Sequence, residues 1–324
     1  MNMNSEDYIG NANQLNGVYL ETLGEGKASN MKCYRVYTEA GISALIMLDR
    51  GMDIGELKIN GYNISFMSST GLVNSTYFVE NKQKGFMNNF NVGFLTTGGL
   101  TVTGQSESDE SGLHGVISNT PAENYSYSIE GDKIIVRGTI KEARMFGPNL
   151  ILKRKITIYK NINRIDIDDK VVNSSDVKSP LMILYHTNFG YPFYSPQSEL
   201  EMSPLNSCYR DYSDATDWNL FHEPKPEKEE VVYFHDFENS NSHKIKLTSP
   251  LTNLKMVLRF DNDVLPVINQ WKLERVKNYV LGLEPSTNDV NGFEMAKRKK
   301  LLQYIEPNEE KLFHVDFEFS KLEG

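Results

Sequence analysis

Apolar and polar residues along this chain alternate mostly with a period of two, in short runs separated by turn-forming residues. Residues 18–23, 31–39 and 42–48 read as strands, with Cys33, Arg35 and Tyr37 on one face of the second. Residues 57–66 read as a hairpin turning at Asn60-Gly61, the dipeptide best suited to a type I′ turn. A second hairpin is expected from 125–130 and 133–142 around Gly131-Asp132. Strands follow at 150–159, 164–173 and 181–186, with polar breaks at 161–163 and 173–179, and then at 231–237, 244–247, 255–260, 264–271, 279–284 and 312–319. Two stretches depart from this pattern. Residues 67–115 are rich in Gly, Asn, Ser and Thr, with Tyr77, Phe78, Phe86, Phe90 and Phe94 between them; few regular strands fit there except around 100–102, and the stretch reads as excursions that help build a pocket. Residues 203–230 are irregular and end in the solvated charge run 227–230. Helical periodicity over more than a dozen residues is missing, as are a Pro/Ser-rich linker and a repeat of fixed period. The pattern predicts an all-β sandwich in one domain over residues 1–324, with its core at about 15–320.

Polar residues interrupt the pattern in three places where they are costly. The apolar run 181–185 leads into His186, Thr187 and Asn188 just before Gly190 and Pro192. An unsatisfied polar group at the end of a buried strand costs about 1–3 kcal/mol, so these residues are either paired within the core or face a cavity. In Ser111-Gly112-Leu113-His114-Gly115 a histidine sits between glycines, where the backbone is free to approach a ligand. The apolar stretch 279–283 ends in Glu284, and Pro285 follows at once. That carboxylate either reaches solvent or is paired, hydrogen-bonded or protonated, with a tuned pKa. Two imidazoles and a carboxylate suit general acid–base catalysis near neutral pH. They would equally suit a metal site of two histidines and a carboxylate. The three lie too far apart in sequence for a local metal motif, so spacing leaves both readings open.

Composition narrows the partners. The formal net charge of -9 argues against an electrostatic grip on nucleic acid or an anionic membrane. Two cysteines, Cys33 and Cys208, far apart, fit a reduced cytosolic protein. Residues 1–10 are polar and acidic without an apolar signal-peptide core, and no run of about 18 apolar residues exists. A cytoplasmic location without membrane contact is expected. No Gly-rich dinucleotide fingerprint is present.

The order of these segments carries a resemblance. Leu113-His114-Gly115, then the strand ending His186-Thr187-Asn188-Phe189-Gly190-Tyr191-Pro192, then Gly282-Leu283-Glu284-Pro285 resemble the aldose 1-epimerase (galactose mutarotase-like) superfamily. Asp49-Arg50-Gly51-Met52-Asp53-Ile54, together with the Leu-His-Gly segment, is similar to its DUF4432 branch. The resemblance spans roughly residues 15–320. It implies a large antiparallel β-supersandwich, a small carbohydrate ligand, and interconversion of aldose anomers through the open-chain aldehyde without a metal or cofactor. By the same resemblance Glu284 matches the general base at the C1 hydroxyl, and His186 the acid at the ring oxygen. His114 matches the histidine that binds the sugar and supports the acid. The chain also departs from the family. The Asn-Arg pair that precedes the first histidine in classical mutarotases is absent, and Arg50 is expected to contact the sugar instead, or else to pair with Asp49 or Asp53. The family's second-half sugar-binding aspartate has no clear match. Asp211, Gln270 and Trp271 are candidates, with Asn188 of the His-x-Asn segment. Trp271 would either stack on a sugar's apolar face or belong to the core. His222, His235, His243 and His314 are expected at surface or edge positions. A non-catalytic carbohydrate-binding protein and a metal-assisted sugar isomerase are the rival readings on the same fold.

Overall fold

The computed structural model describes residues 5–105, 112–238 and 243–322, so Ser111 of the Ser-Gly-Leu-His-Gly segment lies outside the described residues. Alternating side chains give each strand one apolar face, and two large sheets bury those faces against one another. The eight-stranded sheet runs in the order Glu199–Glu201, His243–Ser249, Leu254–Phe260, Glu310–Lys321, Asn163–Asn173, Asn149–Tyr159, Lys133–Ala143 and Glu123–Glu130. The sheet facing it runs Asn206–Tyr209, Val231–Asp236, Val267–Arg275, Asn278–Ser286, Ser179–Gly190 and Gln303–Ile305, with Leu95–Leu100 also paired to Ser179–Gly190. A five-stranded antiparallel sheet (Gly17–Thr22, Lys32–Tyr37, Ile42–Met47, Asp53–Ile59, Tyr62–Asn63) packs beside them. This is the galactose mutarotase-like β-supersandwich. Both α-helices among the described residues, Lys82–Met87 and Phe293–Arg298, have only six residues.

One apolar cluster runs from Val18 to Phe319 through all three large sheets, with Phe94, Phe189, Phe193, Phe317 and Phe319 in mutual ring contact. Inside it lies an ion network. Arg154, fully buried, pairs with Asp53 at 3.0 Å and Asp169 at 2.7 Å, and donates to the carbonyl of Gly51. Tyr185 donates to Asp169, and the backbone N–H and hydroxyl of Thr97 donate to Asp53. The Asp-Arg-Gly-Met-Asp-Ile segment is thus where the five-stranded sheet is fastened to the sandwich. A buried charge is tolerable only when paired and hydrogen-bonded, and here both conditions hold.

The expected strands form, with two differences that bear on the site. Residues 67–115 contain more structure than alternation suggested: the helix Lys82–Met87 and the strand Leu95–Leu100. Gly98 and Gly99 mask that strand's signal, because glycine weakens a strand in isolation. In the fold Gly98 relieves a tight approach, since a Cβ there would stand 3.1 Å from Leu184 Cβ and 3.3 Å from His114 Cβ. The strand expected at 264–271 instead spans Val267–Arg275.

Candidate active site

Ser179–Gly190 has paired neighbours on both sides, and its residues are almost all buried. Tyr185 and Phe189 point into the main core, so strand alternation sends Leu184, His186 and Asn188 to the other face. The register Leu184↔Ser286, Thr187↔Leu283 sets His186 directly opposite Glu284. Cross-strand neighbours are close enough to touch, and His186 Nδ1 lies 3.3 Å from Glu284 Oε1. Gly282, two residues before Glu284, leaves room for the carboxyl to fold back along its own strand. A Cβ there would stand 2.4 Å from Glu284 Oε1.

His114 reaches the same place from a loop. Its φ of 57° and that of Gly115 at 71° are left-handed, a conformation histidine adopts more readily than most residues. The turn is pinned at both ends: Gly99 N–H donates to the His114 carbonyl, and His114 N–H donates to the Gly104 carbonyl. Gly104 N–H also donates to His114 Nδ1 at 3.1 Å, so the neutral ring carries its proton on Nε2. The rings of His114 and His186 are 5.7 Å apart and nearly perpendicular.

Apolar side chains enclose this group. Phe90 packs edge-on to His186, Phe86 packs on His114, and Trp271 lies 5.5 Å from His186. Glu230 accepts from Trp271 Nε1 and pairs with Arg210 at the mouth. The enclosed cavity is only about 60 Å³, against about 30 Å³ for one water in the liquid. Burial therefore dominates the electrostatics. It raises the Glu284 carboxyl well above its ordinary range, lowers His186 to about 4 and pushes His114 well below the usual imidazole value. Burial thus favours the neutral form of each of the three groups. Neither Glu284 Oε1 nor His186 Nδ1 has a well-formed hydrogen bond, which leaves an unsatisfied acid–base pair facing the cavity.

Of the residues singled out from sequence, the fold gathers His114, His186, Glu284 and Trp271 around one cavity. Asn188 lies beside them, donating to the His186 carbonyl at 2.8 Å and bracing the strand. The structure corrects the expectation for three others. Arg50 is buried and donates to the carbonyls of Ser118, Val73 and Asn89, so its guanidinium is consumed in tying loops together and pairs with neither Asp49 nor Asp53. Asp211 is exposed and caps a turn by accepting from Ser213. Gln270 lies on the opposite face of its strand from Trp271, bonded to His235 and to the Trp218 carbonyl. His235 is another correction. It is fully buried, held between the Ser207 hydroxyl and Gln270, rather than at the surface. Phe86 and Phe90 come from the aromatic-rich stretch expected to help build a pocket, whereas sequence reasoning missed Glu230, which it read as part of a solvated charge run.

Two larger cavities exist, of about 560 and 790 Å³. Several of their acids and bases are already paired or bonded, as in His314–Asp168 at 2.7 Å and in Glu142, which accepts from Leu100 and Thr101. Among the described residues no three His, Cys, Asp or Glu side chains are grouped to hold a metal ion. No helix among them is long and apolar enough to cross a membrane.

Solved structures share the architecture. A Klebsiella pneumoniae protein provisionally named an aldose 1-epimerase superposes with a TM-score of 0.83 at 18% identity, covering 98% of this chain and 89% of its own. A galactose mutarotase-like protein from Clostridium acetobutylicum has a TM-score of 0.69 at 16% identity, over 95% of this chain and all of its own. Galactose 1-epimerase from Lactobacillus acidophilus has a TM-score of 0.66 at 12% identity, over 95% and 100%. At these identities the likeness is one of fold. No curated protein sequence matches the chain. Residues 28–319 match the family described as Domain of unknown function (DUF4432), and with nine-tenths of its length inside that match the chain belongs to the DUF4432 family.

Proposed function

We propose that this chain is an aldose 1-epimerase that interconverts sugar anomers by acid–base ring opening. The observation that carries the reading is the buried, otherwise unpartnered Glu284–His186 pair, with His114 beside it. Ring opening removes the proton from O1, breaks C1–O5 as the C1–O1 double bond forms, and delivers a proton to O5. With Glu284 as carboxylate base and His186 as imidazolium acid, the pair carries one proton before the step. It still carries one afterwards, now on Glu284, and that is the neutral arrangement burial favours. Rotation about C1–C2 in the aldehyde, followed by the reverse transfers, closes the other anomer. The reverse transfers move the proton on Glu284 to O1 and the proton on O5 to His186, so the pair ends with the one proton it began with. A positioned acid and a positioned base each contribute roughly 10²–10⁴-fold. His114 Nε2–H is the donor left free to hold a sugar oxygen, and Trp271 and Phe90 offer faces for its C–H groups.

Sugar entry requires the aromatic cover to move, because ligand pockets are typically about 300–1,000 Å³ and this cavity is about 60 Å³. Phe86 and Met87, on or next to the short Lys82–Met87 helix, and Phe90 just after it are the groups that must swing. We take the compartment to be the cytoplasm, on the sequence grounds above. The test is anomer exchange measured by magnetisation-transfer NMR across a panel of aldoses. Wild type is expected to accelerate exchange of at least one sugar, and Glu284→Gln to lose that acceleration. Saturable binding without acceleration by wild type would instead establish a carbohydrate-binding protein and overturn the enzymatic reading.

A further inference from the structure

The hairpin that joins Lys133–Ala143 to Asn149–Tyr159 ends in Met145 and Phe146, 82% and 97% exposed. Phe146 has a φ of 59°, a left-handed conformation rare for a bulky residue, so the turn holds the ring away from its own sheet. Two adjacent, fully presented apolar side chains mark an interaction surface. The same turn borders the cavity of about 790 Å³, whose wall includes Val102, Val116, Val177, Pro180 and Phe293. Val177 on that wall is itself 58% exposed. An apolar knob and a partly apolar hole therefore lie side by side on one face of the molecule. The rim charges add a second observation. Lys141 and Lys178 are paired with Glu123 and Glu306, whereas Arg144, Glu80 and Glu294 make no ion pair with another described residue.

We propose that the chain self-associates as a twofold dimer in which Met145 and Phe146 of each copy fill this cavity in the other. A twofold contact is self-complementary, so a knob beside its own hole closes into a pair rather than a filament. The same rotation brings the rim of each copy against that of the other and offers Arg144 a carboxylate, Glu80 or Glu294, from the second copy. A bilayer is a poorer occupant for the tip, because a chain of net charge -9 is repelled by an anionic surface. The contact also reaches the candidate active site. Gln105 lines both this cavity and the one holding His186 and Glu284, so the docked tip abuts that site's outer wall.

Sedimentation velocity of the full chain over a wide concentration range tests the proposal, with circular dichroism to confirm that each variant is folded. Wild type is expected to pass from monomer to dimer as concentration rises. Phe146→Asp on the knob and Val177→Asp in the hole should each weaken the dimer by about 30-fold or more, the effect of losing an interface hot spot. Arg144→Glu should weaken it, and adding Glu294→Arg should restore part of the loss. Glu284→Gln should dimerise as wild type does, which separates this proposal from the reading of the catalytic pair. A wild type that stays monomeric, or a dimer indifferent to both Phe146→Asp and Val177→Asp, would overturn it. So would a tip that binds neutral or anionic vesicles while the protein remains monomeric.

Discussion

Replacing Gly282 by alanine probes the catalytic pair without touching either of its members. Gly282 lies mid-strand and outside the left-handed region, so alanine fits the backbone without strain. The added Cβ would stand 2.4 Å from Glu284 Oε1 and 3.1 Å from Trp271 Cβ, where ordinary contact begins at 3.4 Å. The carboxyl must therefore withdraw by about 1 Å, and it is free to do so because it ends a flexible side chain with no hydrogen bond of its own. The fold should scarcely respond. A strand alanine regains about 0.5–1 kcal/mol over glycine, which offsets the tight contact at Trp271. Catalysis should respond strongly. A misplacement of about 1 Å costs on the order of 10²-fold in rate, or about 2.7 kcal/mol of transition-state stabilisation. Magnetisation-transfer NMR with the sugar that wild type exchanges fastest would give kcat and KM, and thermal unfolding would give the stability. The expectation is a kcat lower by about 100-fold, with the melting temperature moved by no more than a few degrees. A folded Gly282→Ala protein that exchanges anomers at the wild-type rate would remove Glu284 as the base.

Four further outcomes are expected. The Glu284 carboxyl holds its proton in the folded chain well above the ordinary carboxylate value of 4.5, while the unfolded chain ionises there, so its stabilising contribution is lost as pH rises. Glu284→Gln should therefore be more stable than wild type by about 1–2 kcal/mol at neutral pH, with the gain disappearing below pH 4.5 in urea titrations. The pH profile of kcat/KM should be bell-shaped, failing below about 4 as His186 takes a second proton, and failing on the alkaline side once the pair's remaining proton leaves Glu284. Arg154→Leu should destabilise by about 3–5 kcal/mol in chemical denaturation, because Asp53 and Asp169 would be left buried and unpaired; His314→Asn, which loses a half-exposed pair with Asp168 and a 3.5 Å contact to buried Asp316 that keeps Arg259 and Arg164, should cost about 1 kcal/mol or less.

Much of the architecture was legible because a period-two pattern demands a buried face wherever it occurs. The Asn60-Gly61 and Gly131-Asp132 hairpins turn where their residues require, with Asn60, Gly61 and Gly131 all at positive φ. The helix Lys82–Met87 and the strand Leu95–Leu100 were not legible, since one is too short to show a period and the other contains two glycines. His186 and Glu284 were suspect from sequence as polar residues ending apolar strands, a position that costs energy unless something uses it. Gln270 and Trp271 show where such reasoning stops. Neighbours on a strand must face opposite ways, but only the packed sheets decide which of them faces the cavity.

The sequence by itself determined that the chain is built of antiparallel strands, and which residue types could do acid–base chemistry. Those properties follow from local periodicity and from the price of burying a charge. Only the tertiary structure decided that Arg50 is a fastener rather than a sugar contact and that Asp53 pairs with Arg154 rather than Arg50, because three carbonyls from distant loops converge on the first and Arg154 from the other sheet reaches the second. Register alone set His186 opposite Glu284, and the walls packed around them shift both pKa values. Register and desolvation are properties of the folded chain, set by residues far apart in sequence.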